Sequence, residues 1–488
     1  MWVVYNLVGQ LDGIDADVSH ALPSLFKIAL YSGTNVMKYK LKLEPVKQKI
    51  TTWRILTKKL FFMIYDYGLS YSVLKIIWSF RRDIEQPISI KDITFSDNDF
   101  RLLDKIKDDL IVNDVNLPQK FGPKKIINID IININFFDWN GEKVFKGGAE
   151  RYVYDLAHML QSSGFQLRII QNANFAFEKD FHGISVIGVQ TNEGQYIRGL
   201  SKKFRKFCIN ADLIIASPLD LACELYELNV IGINHGIHWD HKLINISNIS
   251  INNYQNIFDA LKICLKSVAV DTNFLNWVQT YDYSLRQHIA YIPNYFDGTQ
   301  FFPVEKNFEG RIRVLYPRRL YDARGIFITL KAFDYLFTKH ADVELYLVGQ
   351  ADPQQSSIIL EFINKHPGRV FWEEFNMNEM PAAYQASHIT LIPTLYSEGT
   401  SLSCLEAMAT NNAIIATNVG GLPNLIINHF NGLLIDPNTE SLIKAINFLL
   451  FDRNTLRTLA SNSVGVSRVF EKNKWLKQWK NVISEINE

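Results

Sequence analysis

The chain has 488 residues, of which 47% are hydrophobic and 21% are charged, and its formal net charge is +1. This length allows two or three domains with full cores, and the composition is that of an ordinary soluble globular protein. The near-zero charge argues against nucleic acid as a partner. The four cysteines are scattered without a C-x-x-C pair, which argues against a disulfide framework or a zinc site and favours a reducing compartment.

The N-terminal sequence "MWVVYNLVGQLDG" lacks the basic region that precedes the apolar core of a signal peptide. An uninterrupted apolar run of about 18 residues, the length that a membrane-spanning helix needs, is also absent from the sequence. We therefore predict a cytoplasmic protein.

Residues 1–122 differ from the rest and are predicted to form an N-terminal extension. Between residues 38 and 82 there are eleven Lys or Arg and two acidic residues, a net charge of +9, with aromatic residues interleaved. Two interpretations fit this stretch. It packs as a helical extension on the main body with its lysines solvated, or it lies on the anionic inner face of a membrane as a peripheral attachment. The residue spacing does not separate them.

Strands and helices alternate from residue 124 onward. The apolar run "KIINIDIININFF" predicts a strand, and "AERYVYDLAHMLQSSG" predicts a helix that ends at Gly164. Four further apolar strands follow, which are "FQLRIIQ", "ISVIGVQ", "ADLIIAS" and "VIGINHG". This alternation predicts a mostly parallel sheet in a first domain over residues 123–300.

The same alternation restarts near Arg311 and predicts a second domain over residues 301–465. The last segment, 466–488, predicts a helix with Trp475, Trp479, Val482 and Ile486 on one face, and we expect it to pack back on the first domain. The predicted fold class is α/β, with two Rossmann-like, doubly wound domains facing a cleft. In such domains ligands bind at the carboxyl ends of the strands, so the loops there are the candidate site.

Cationic side chains follow the first strand of the second domain in "LYPRRLYDARG". Arg318 and Arg319 come directly after the strand, and Arg324 precedes Gly325 at the start of a helix. Cations beside a helix N-terminus are typical of a diphosphate site. A solvated basic loop is the alternative.

Two glutamates, Glu398 and Glu406, flank the turn and helix start in "EGTSLSCLEAMA". The backbone amides of Gly399, Thr400 and Ser401 converge there, as in turns that bind phosphate. Glu398 cannot bind phosphate itself and suits sugar hydroxyls, and Glu406 is placed to bind a second pair of hydroxyls such as those of a ribose. One surface glutamate and one helix-forming glutamate would be the structural alternative.

Two glycine pairs also follow predicted strands. Gly420 and Gly421 in "ATNVGGLPN" allow a ligand to approach the backbone closely. Gly147 and Gly148 open the first helix of the first domain in "KGGAER", where a Rossmann fold has its phosphate turn, although the string is not G-x-G-x-x-G.

The segment "INHGIHWDH" contains His235, His238 and His241 together with Asp240. Three interpretations are open: a metal site, a histidine that faces substrate in the cleft, and ordinary packing. We favour the cleft histidine. A D-x-D string at residues 96–99, a pattern of some metal-dependent sugar transferases, is interpreted as chance.

Taken together, these strings resemble the retaining glycosyltransferases of family 4, which have the GT-B architecture. The resemblance covers residues 124–488. In chain order it is carried by "GGAER", "NHG", "IPNYFDGTQFFP", "RRLYDARG", "EGTSLSCLEAMA" and "ATNVGGLP". Any one of these strings is a weak signal, and six of them in order at compatible spacing form a strong one.

The resemblance implies a role for each matching position in the second domain. Arg319 and Arg324 would neutralise the leaving diphosphate. Glu398 would contact the transferred sugar, and Glu406 the nucleotide ribose. The remaining donor-binding positions would be Gly399, Thr400, Ser401, Gly420 and Gly421.

In the first domain, the resemblance implies that Gly147 and Gly148 approach the donor diphosphate and that His235 lies near the reacting sugar. Four departures from the family pattern stand out. Tyr295 replaces the hinge glycine, Arg318 replaces the glycine before Arg319, and Asn424 stands where a glutamate often occurs. "TNN" at residues 410–412 replaces a small-residue turn.

The predicted function is retaining, metal-independent transfer of a sugar from a nucleotide-sugar donor to a glycan or lipid-linked glycan, in surface polysaccharide or glycoconjugate biosynthesis. No cofactor and no metal are expected. One alternative is a non-catalytic nucleotide-sugar-binding or scaffold subunit of a glycan assembly complex. A GT-B epimerase or phosphorylase is another, less well matched by the strings.

Overall fold

The computed structural model describes residues 126–144, 147–191, 197–237, 249–376 and 378–487. The predictions for the N-terminal extension and for the D-x-D string, and those for His238, Asp240 and His241, lie outside these residues. Among the described residues, no helix is both long and apolar enough to cross a membrane.

Eight described strands form the sheet of the first domain, in the order β3-β4-β2-β1-β5-β6-β7-β8. Strand β3 pairs antiparallel with β4, and the other described neighbours pair parallel. The strands are β1 (Asn128–Asn133), β2 (Gln166–Ala173), β3 (Phe177–Phe181), β4 (Ile184–Gln190), β5 (Leu213–Ser217), β6 (Val230–Asn234), β7 (Lys266–Ala269) and β8 (Ile289–Tyr291). The predicted mostly parallel sheet is confirmed, with one antiparallel edge strand that the pattern did not indicate.

Helices and one short 3-10 turn connect these strands. The helices are α1 (Gly148–Ser162), α2 (Ile197–Phe207), α3 (Ile249–Ile263), α4 (Thr272–Tyr281) and α5 (Tyr283–Arg286), and the 3-10 turn is Leu219–Ala222. Helix α1 ends as predicted, because Ser163 caps it and Gly164 follows with a positive φ of 92°. Helix α4 begins at a true cap, since the Asp271 carboxylate accepts a hydrogen bond from the Phe274 amide at 2.9 Å.

In the second domain the described residues form a six-stranded parallel sheet in the order β11-β10-β9-β12-β13-β14. Its strands are β9 (Ile312–Tyr316), β10 (Val343–Val348), β11 (Val370–Glu373), β12 (Ile389–Ile392), β13 (Ala413–Thr417) and β14 (Gly432–Ile435). Its helices are α6 (Ile326–Leu336), α7 (Pro353–Lys365), α8 (Met380–Gln385), α9 (Leu402–Ala409), α10 (Thr439–Phe451) and α11 (Arg453–Ser467). Short 3-10 turns lie at Asp322–Arg324, Leu422–Asn424 and Arg468–Phe470.

Strand order decides which loops meet at the cleft. Strands β9 and β12 are neighbours, with Ile389 opposite Val314, although β10 and β11 separate them in the chain. The loop after β9 therefore lies beside the loop after β12. Because β13 is the next neighbour, the loop after it joins the same edge. Strands β12 and β13 are buried on both faces, which explains their apolar sequences, and β9 is buried except at Arg313.

The last helix, α12 (Lys472–Asn487), packs on the first domain. Trp475, Trp479 and Val482 are buried in the core that includes β1 and α1, which confirms the predicted apolar face. The Trp479 indole donates a hydrogen bond to the Tyr152 hydroxyl at 2.7 Å, so its buried N–H is satisfied. The chain thus returns to the first domain after it has completed the second.

Candidate active site between the two domains

The carboxylate of Glu398 lies at the edge of the second sheet and receives donors from two loops. Arg318 Nη2 is 2.5 Å from Glu398 Oε2, and Arg324 Nη1 contacts the same oxygen. The Thr394 hydroxyl also donates to Oε2, at 2.8 Å, and it accepts a hydrogen bond from Arg318 Nη1. Three donors from described residues therefore meet on one oxygen of one carboxylate.

This cluster is buried. The Glu398 side chain is 10% exposed, and that of Arg318 is 6% exposed. Burial by itself would raise the pKa of Glu398, but the Arg318 and Arg324 guanidinium groups outweigh it and hold that pKa below its usual value. Glu398 is therefore ionised at neutral pH, and two cations face one anion at this point of the cleft.

Glycines allow these loops to approach one another. Gly325 has φ of +83°, and a Cβ there would lie 2.0 Å from the Pro393 carbonyl oxygen. Gly420 has φ of +54°, and a Cβ there would lie 2.1 Å from the Glu398 carbonyl oxygen. The Gly421 amide donates to that same oxygen at 2.7 Å. The predicted glycine pair after β13 therefore shapes the backbone around Glu398.

Arg319 behaves differently from its neighbour Arg318. Its side chain is exposed, and its guanidinium carbon lies 5.7 Å from the ring centre of Tyr321. Burial raises the pKa of Glu150, at the start of α1, and the charge of Arg319 opposes that rise. Arg319 is therefore the exposed cation of this loop, near the first domain.

Glu406, the second glutamate, is held by the opposite domain. Its Oε1 lies 2.5 Å from Arg151 Nη1, and its Oε2 accepts a hydrogen bond from the Tyr384 hydroxyl at 3.0 Å. The Arg151 side chain is 15% exposed and that of Glu406 is 6% exposed. Although burial disfavours the charge of Arg151, the carboxylate of Glu406 raises its pKa. This pair joins α1 of the first domain to α9 of the second.

The turn before α9 also contacts the first domain. The Thr400 hydroxyl donates to the Val270 carbonyl oxygen, and the Ser397 hydroxyl donates to that of Ile237. A Cβ on Gly399 would lie 2.4 Å from the His235 carbonyl oxygen, so only glycine fits there. Ser401 is the buried N-cap residue, without a side-chain cap bond. The Thr400 hydroxyl is thus bonded to the first domain in this structure. The groups of this turn that were predicted to bind phosphate are its backbone amides, not its side chains.

The facing edge of the first domain contains Gly147, Gly148 and His235. Gly147 caps α1, and a Cβ on Gly148 would lie 3.1 Å from Leu402 Cδ1 at the start of α9. His235 Nε2 is 2.9 Å from the Ser217 hydroxyl, and the His235 ring packs edge-on against Tyr152. A cavity of about 280 Å³ borders His235, Ser217 and the Glu150 side of α1. His235 thus lies at the carboxyl end of β6, next to this cavity.

Besides Arg318, two further departures from the family pattern, Tyr295 and Asn424, bond to the first domain. The Tyr295 hydroxyl donates to the Asp155 carboxylate on α1. The Asn424 amide spans the cleft, because it accepts from the Thr272 amide at 3.0 Å and donates to the Thr272 hydroxyl at 2.6 Å. Among the described residues no cluster of histidine, cysteine and carboxylate side chains could hold a metal ion, and the four cysteines are buried thiols.

The structure brings together Glu398, Arg324 and the Gly420–Gly421 backbone, and it places Glu406 on a separate ion pair. The sequence did not predict the partners of the two glutamates: it placed Arg318 in a cationic loop for diphosphate and as a departure from the family pattern, not as a partner of Glu398, and it did not single out Arg151, Thr394 or Tyr384. The signal for Arg151 was present, because the residue ends the quoted string "GGAER".

Comparison with known proteins gives a family match in the second domain. Residues 298–464 match the family model described as "Glycosyl transferases group 1". A relative from Methanocaldococcus jannaschii, described as an uncharacterized glycosyltransferase, is 24% identical over 186 residues, which are 38% of this chain and 47% of the relative. The chain spans less than half the length of the first curated relatives that it matches.

Solved structures share the fold. Sucrose-phosphate synthase from Thermosynechococcus elongatus superposes with a TM-score of 0.59 at 19% identity, over 74% of this chain and 99% of that one. Anabaena HepE in complex with UDP-glucose superposes with a TM-score of 0.57 at 18% identity, over 74% of this chain and 100% of that one. The described residues therefore have the GT-B architecture, and residues 298–464 match the glycosyl transferases group 1 family model.

Proposed function

We propose that this protein is a retaining glycosyltransferase that uses a nucleotide-sugar donor. The observation that supports it most is the Glu398 cluster, in which two arginines and a hydroxyl hold one buried carboxylate at the carboxyl ends of β9 and β12. An ionised carboxylate beside surplus positive charge suits a ligand that combines sugar hydroxyls with a diphosphate. A nucleotide sugar is such a ligand, and the match of this domain to a glycosyltransferase family supports the same conclusion.

The donor diphosphate is proposed to lie near Arg319 and Arg324, with the amides of the Gly399 turn at the start of α9. As the nucleoside diphosphate departs, negative charge grows on the phosphate and positive charge grows at the anomeric carbon. Cations and amides that face the bound diphosphate would stabilise that change without a metal. We propose that the acceptor attacks from the face that the diphosphate leaves, with the phosphate taking the acceptor proton, so the anomeric configuration is retained and no protein nucleophile is assigned.

The roles of the other predicted residues follow from their positions. Glu406 is proposed to bind the ribose hydroxyls beside Arg151 and Tyr384, which already order its two oxygens. His235 and the cavity of about 280 Å³ next to it are proposed to face the transferred sugar and the incoming acceptor. The proposed acceptor is a glycan or a lipid-linked glycan, and the proposed process is the synthesis of a surface polysaccharide or glycoconjugate.

Thermal-shift screening tests the donor class. The panel contains UDP, GDP, ADP and dTDP, each with its hexose derivative. A ligand at 100 times its dissociation constant stabilises the folded protein by about 2.7 kcal/mol, enough for a clear upward shift of the midpoint. We expect one nucleotide and its sugar to shift the wild type, and Arg319→Ala to shift less. The absence of a shift with every compound would contradict the proposal.

A non-catalytic nucleotide-sugar-binding subunit would give the same thermal shift. The ionised Glu398 between Arg318 and Arg324 favours an enzyme, because a binding subunit would not need this buried charge arrangement. Donor turnover separates the two functions. An enzyme releases nucleoside diphosphate in a Glu398-dependent reaction, whereas a binding subunit leaves the donor intact.

A further inference from the structure

Arg318 differs from Arg324 in how firmly it is held, although both contact the same oxygen of Glu398. The Arg318 side chain is 6% exposed, and its second nitrogen is bound by the Thr394 hydroxyl. The Arg324 side chain is 25% exposed, and its Nε donates to the Tyr321 hydroxyl at 3.1 Å. A Cβ on Gly349 would lie 2.2 Å from the Arg318 carbonyl oxygen, so the backbone there is also tightly packed. Arg318 is the inner cation and Arg324 the outer one.

The two oxygens of Glu398 are used unequally. Arg318, Arg324 and Thr394 all contact Oε2. Within the part of the chain that the structure describes, no donor contacts Oε1. A carboxylate oxygen has two lone pairs and accepts well from hydroxyl groups. Oε1 is therefore the oxygen that remains for a ligand.

The cluster also has more positive charge than Glu398 can neutralise. Two guanidinium groups face one carboxylate, which leaves a surplus of one positive charge for an anion. Among the described residues, Tyr316 and Cys404 also interact with Glu398, and burial raises the pKa of each, so both stay neutral. On the first domain, Asp271 packs against Gly421, and burial raises the pKa of its carboxyl. The arginines are thus the groups that set the charge of Glu398.

We propose that Arg318 is a positioning residue that keeps Glu398 ionised, with Oε1 turned to the donor sugar, after Arg324 has moved from the carboxylate to the donor diphosphate. This inference rests on the proposed function. It assigns a purpose to an arginine that stands where the resembled family has glycine. With Arg324 alone, diphosphate binding would take the only cation from a buried carboxylate, which would then take up a proton. A neutral carboxyl would accept sugar hydrogen bonds less well.

Proton uptake on donor binding tests this directly. The probe is UDP-glucose, or the hexose derivative of GDP, ADP or dTDP if that compound gave the thermal shift. Titration calorimetry at pH 6 in buffers of different ionisation enthalpy gives the number of protons taken up. We expect uptake near zero for the wild type and a clear uptake for Arg318→Gln, with weaker binding at higher pH. Arg318→Lys restores the charge and should return the uptake toward zero, which a purely structural role would not require.

Arg324→Gln is the matched variant on the same oxygen. It should bind the donor more weakly but without proton uptake, because Arg318 still faces Glu398. This variant also keeps the proposal testable if Arg318→Gln does not fold. Proton uptake by Arg324→Gln, or equal uptake by the wild type and Arg318→Gln, would overturn the role of Arg318 while the proposed function stands. If the wild type bound no nucleotide sugar at all, the proposed function would fail and the inference with it.

Discussion

Seven residues separate Glu398 from Glu406 in the sequence, yet the partners of the two carboxylates come from different parts of the molecule. The Glu398 carboxylate is bound by Arg318, Arg324 and Thr394, which belong to its own domain. The Glu406 carboxylate forms an ion pair with Arg151 of the other domain and accepts a hydrogen bond from Tyr384 of its own domain. The first carboxylate is therefore arranged by one sheet edge, whereas the second is arranged by the meeting of two domains.

This difference has a consequence for domain motion. If the domains separate, Glu398 keeps its three partners. Glu406 loses Arg151, the one cation that pairs with it among the described residues. Separation of the domains would break the Arg151–Glu406 ion pair, so this pair favours the domain arrangement of the structure. The Glu398 cluster should be insensitive to closure. Substitutions that remove one of these residues at a time test the difference between the two glutamates.

Glu398→Gln should have the largest effect. It removes the anion between two guanidinium groups, so we expect the free energy of unfolding to fall by about 3–5 kcal/mol because a buried cation is left unpaired. Sugar transfer should fall below detection. Urea unfolding and donor-consumption assays measure the two effects. Glu361→Gln, at an exposed position of α7, is the control and should change neither. Wild-type turnover in Glu398→Gln would contradict the proposed role.

Arg151→Met breaks the pair between the domains. We expect a loss of about 3–5 kcal/mol in the free energy of unfolding, because Glu406 stays buried without its cation. The double variant Arg151→Met with Glu406→Gln should recover part of this loss, since both charges are then absent. Arg205→Met, in an exposed pair with Glu227, is the control and should cost at most about 1 kcal/mol. Equal losses in the two single arginine variants would mean that the interdomain pair has no special weight.

Arg319→Ala should lower kcat without lowering the free energy of unfolding. Its side chain is exposed, so the free energy of unfolding should change by less than about 0.5 kcal/mol. If it stabilises the leaving diphosphate, kcat should fall about 10²–10³-fold, or about 2.7–4 kcal/mol of transition-state stabilisation. Initial rates with the donor chosen by the thermal-shift panel measure this. Lys331→Ala, at an exposed position of α6, should leave kcat unchanged. A fall in both variants would point to a general charge effect instead.

Asn424→Ala should weaken the contact between the domains less than Arg151→Met does. It removes the two hydrogen bonds to Thr272 across the cleft, each worth about 0.5–1.5 kcal/mol. The free energy of unfolding should therefore fall by less than in Arg151→Met. Asn454→Ala, at an exposed position near the start of α11, is the control. A loss as large as that of Arg151→Met would show that neutral bonds, and not the ion pair, dominate the contact between the domains.

The sequence predicted the architecture because long apolar strands alternate with amphipathic helices. Short strands such as β8 and β11, with three and four residues, give too little periodicity to be recognised. For the site, local strings identified both glutamates and the glycine turns. The partners were not predictable in the same way: Arg318 meets Glu398 because β9 and β12 are sheet neighbours, and Arg151 meets Glu406 because the domains are in contact. Neither contact is encoded in local spacing.

An NMR time course of the wild type and Glu398→Gln, with the nucleotide α-hexose selected by the thermal-shift panel, tests whether sugar is transferred with retention and whether transfer depends on Glu398. Water or added glycan serves as the acceptor, and the anomeric proton of the first product reports its configuration. We expect the wild type to form α-configured product first and Glu398→Gln to form no product. A β-configured first product, or equal product formation by the two proteins, would contradict this expectation.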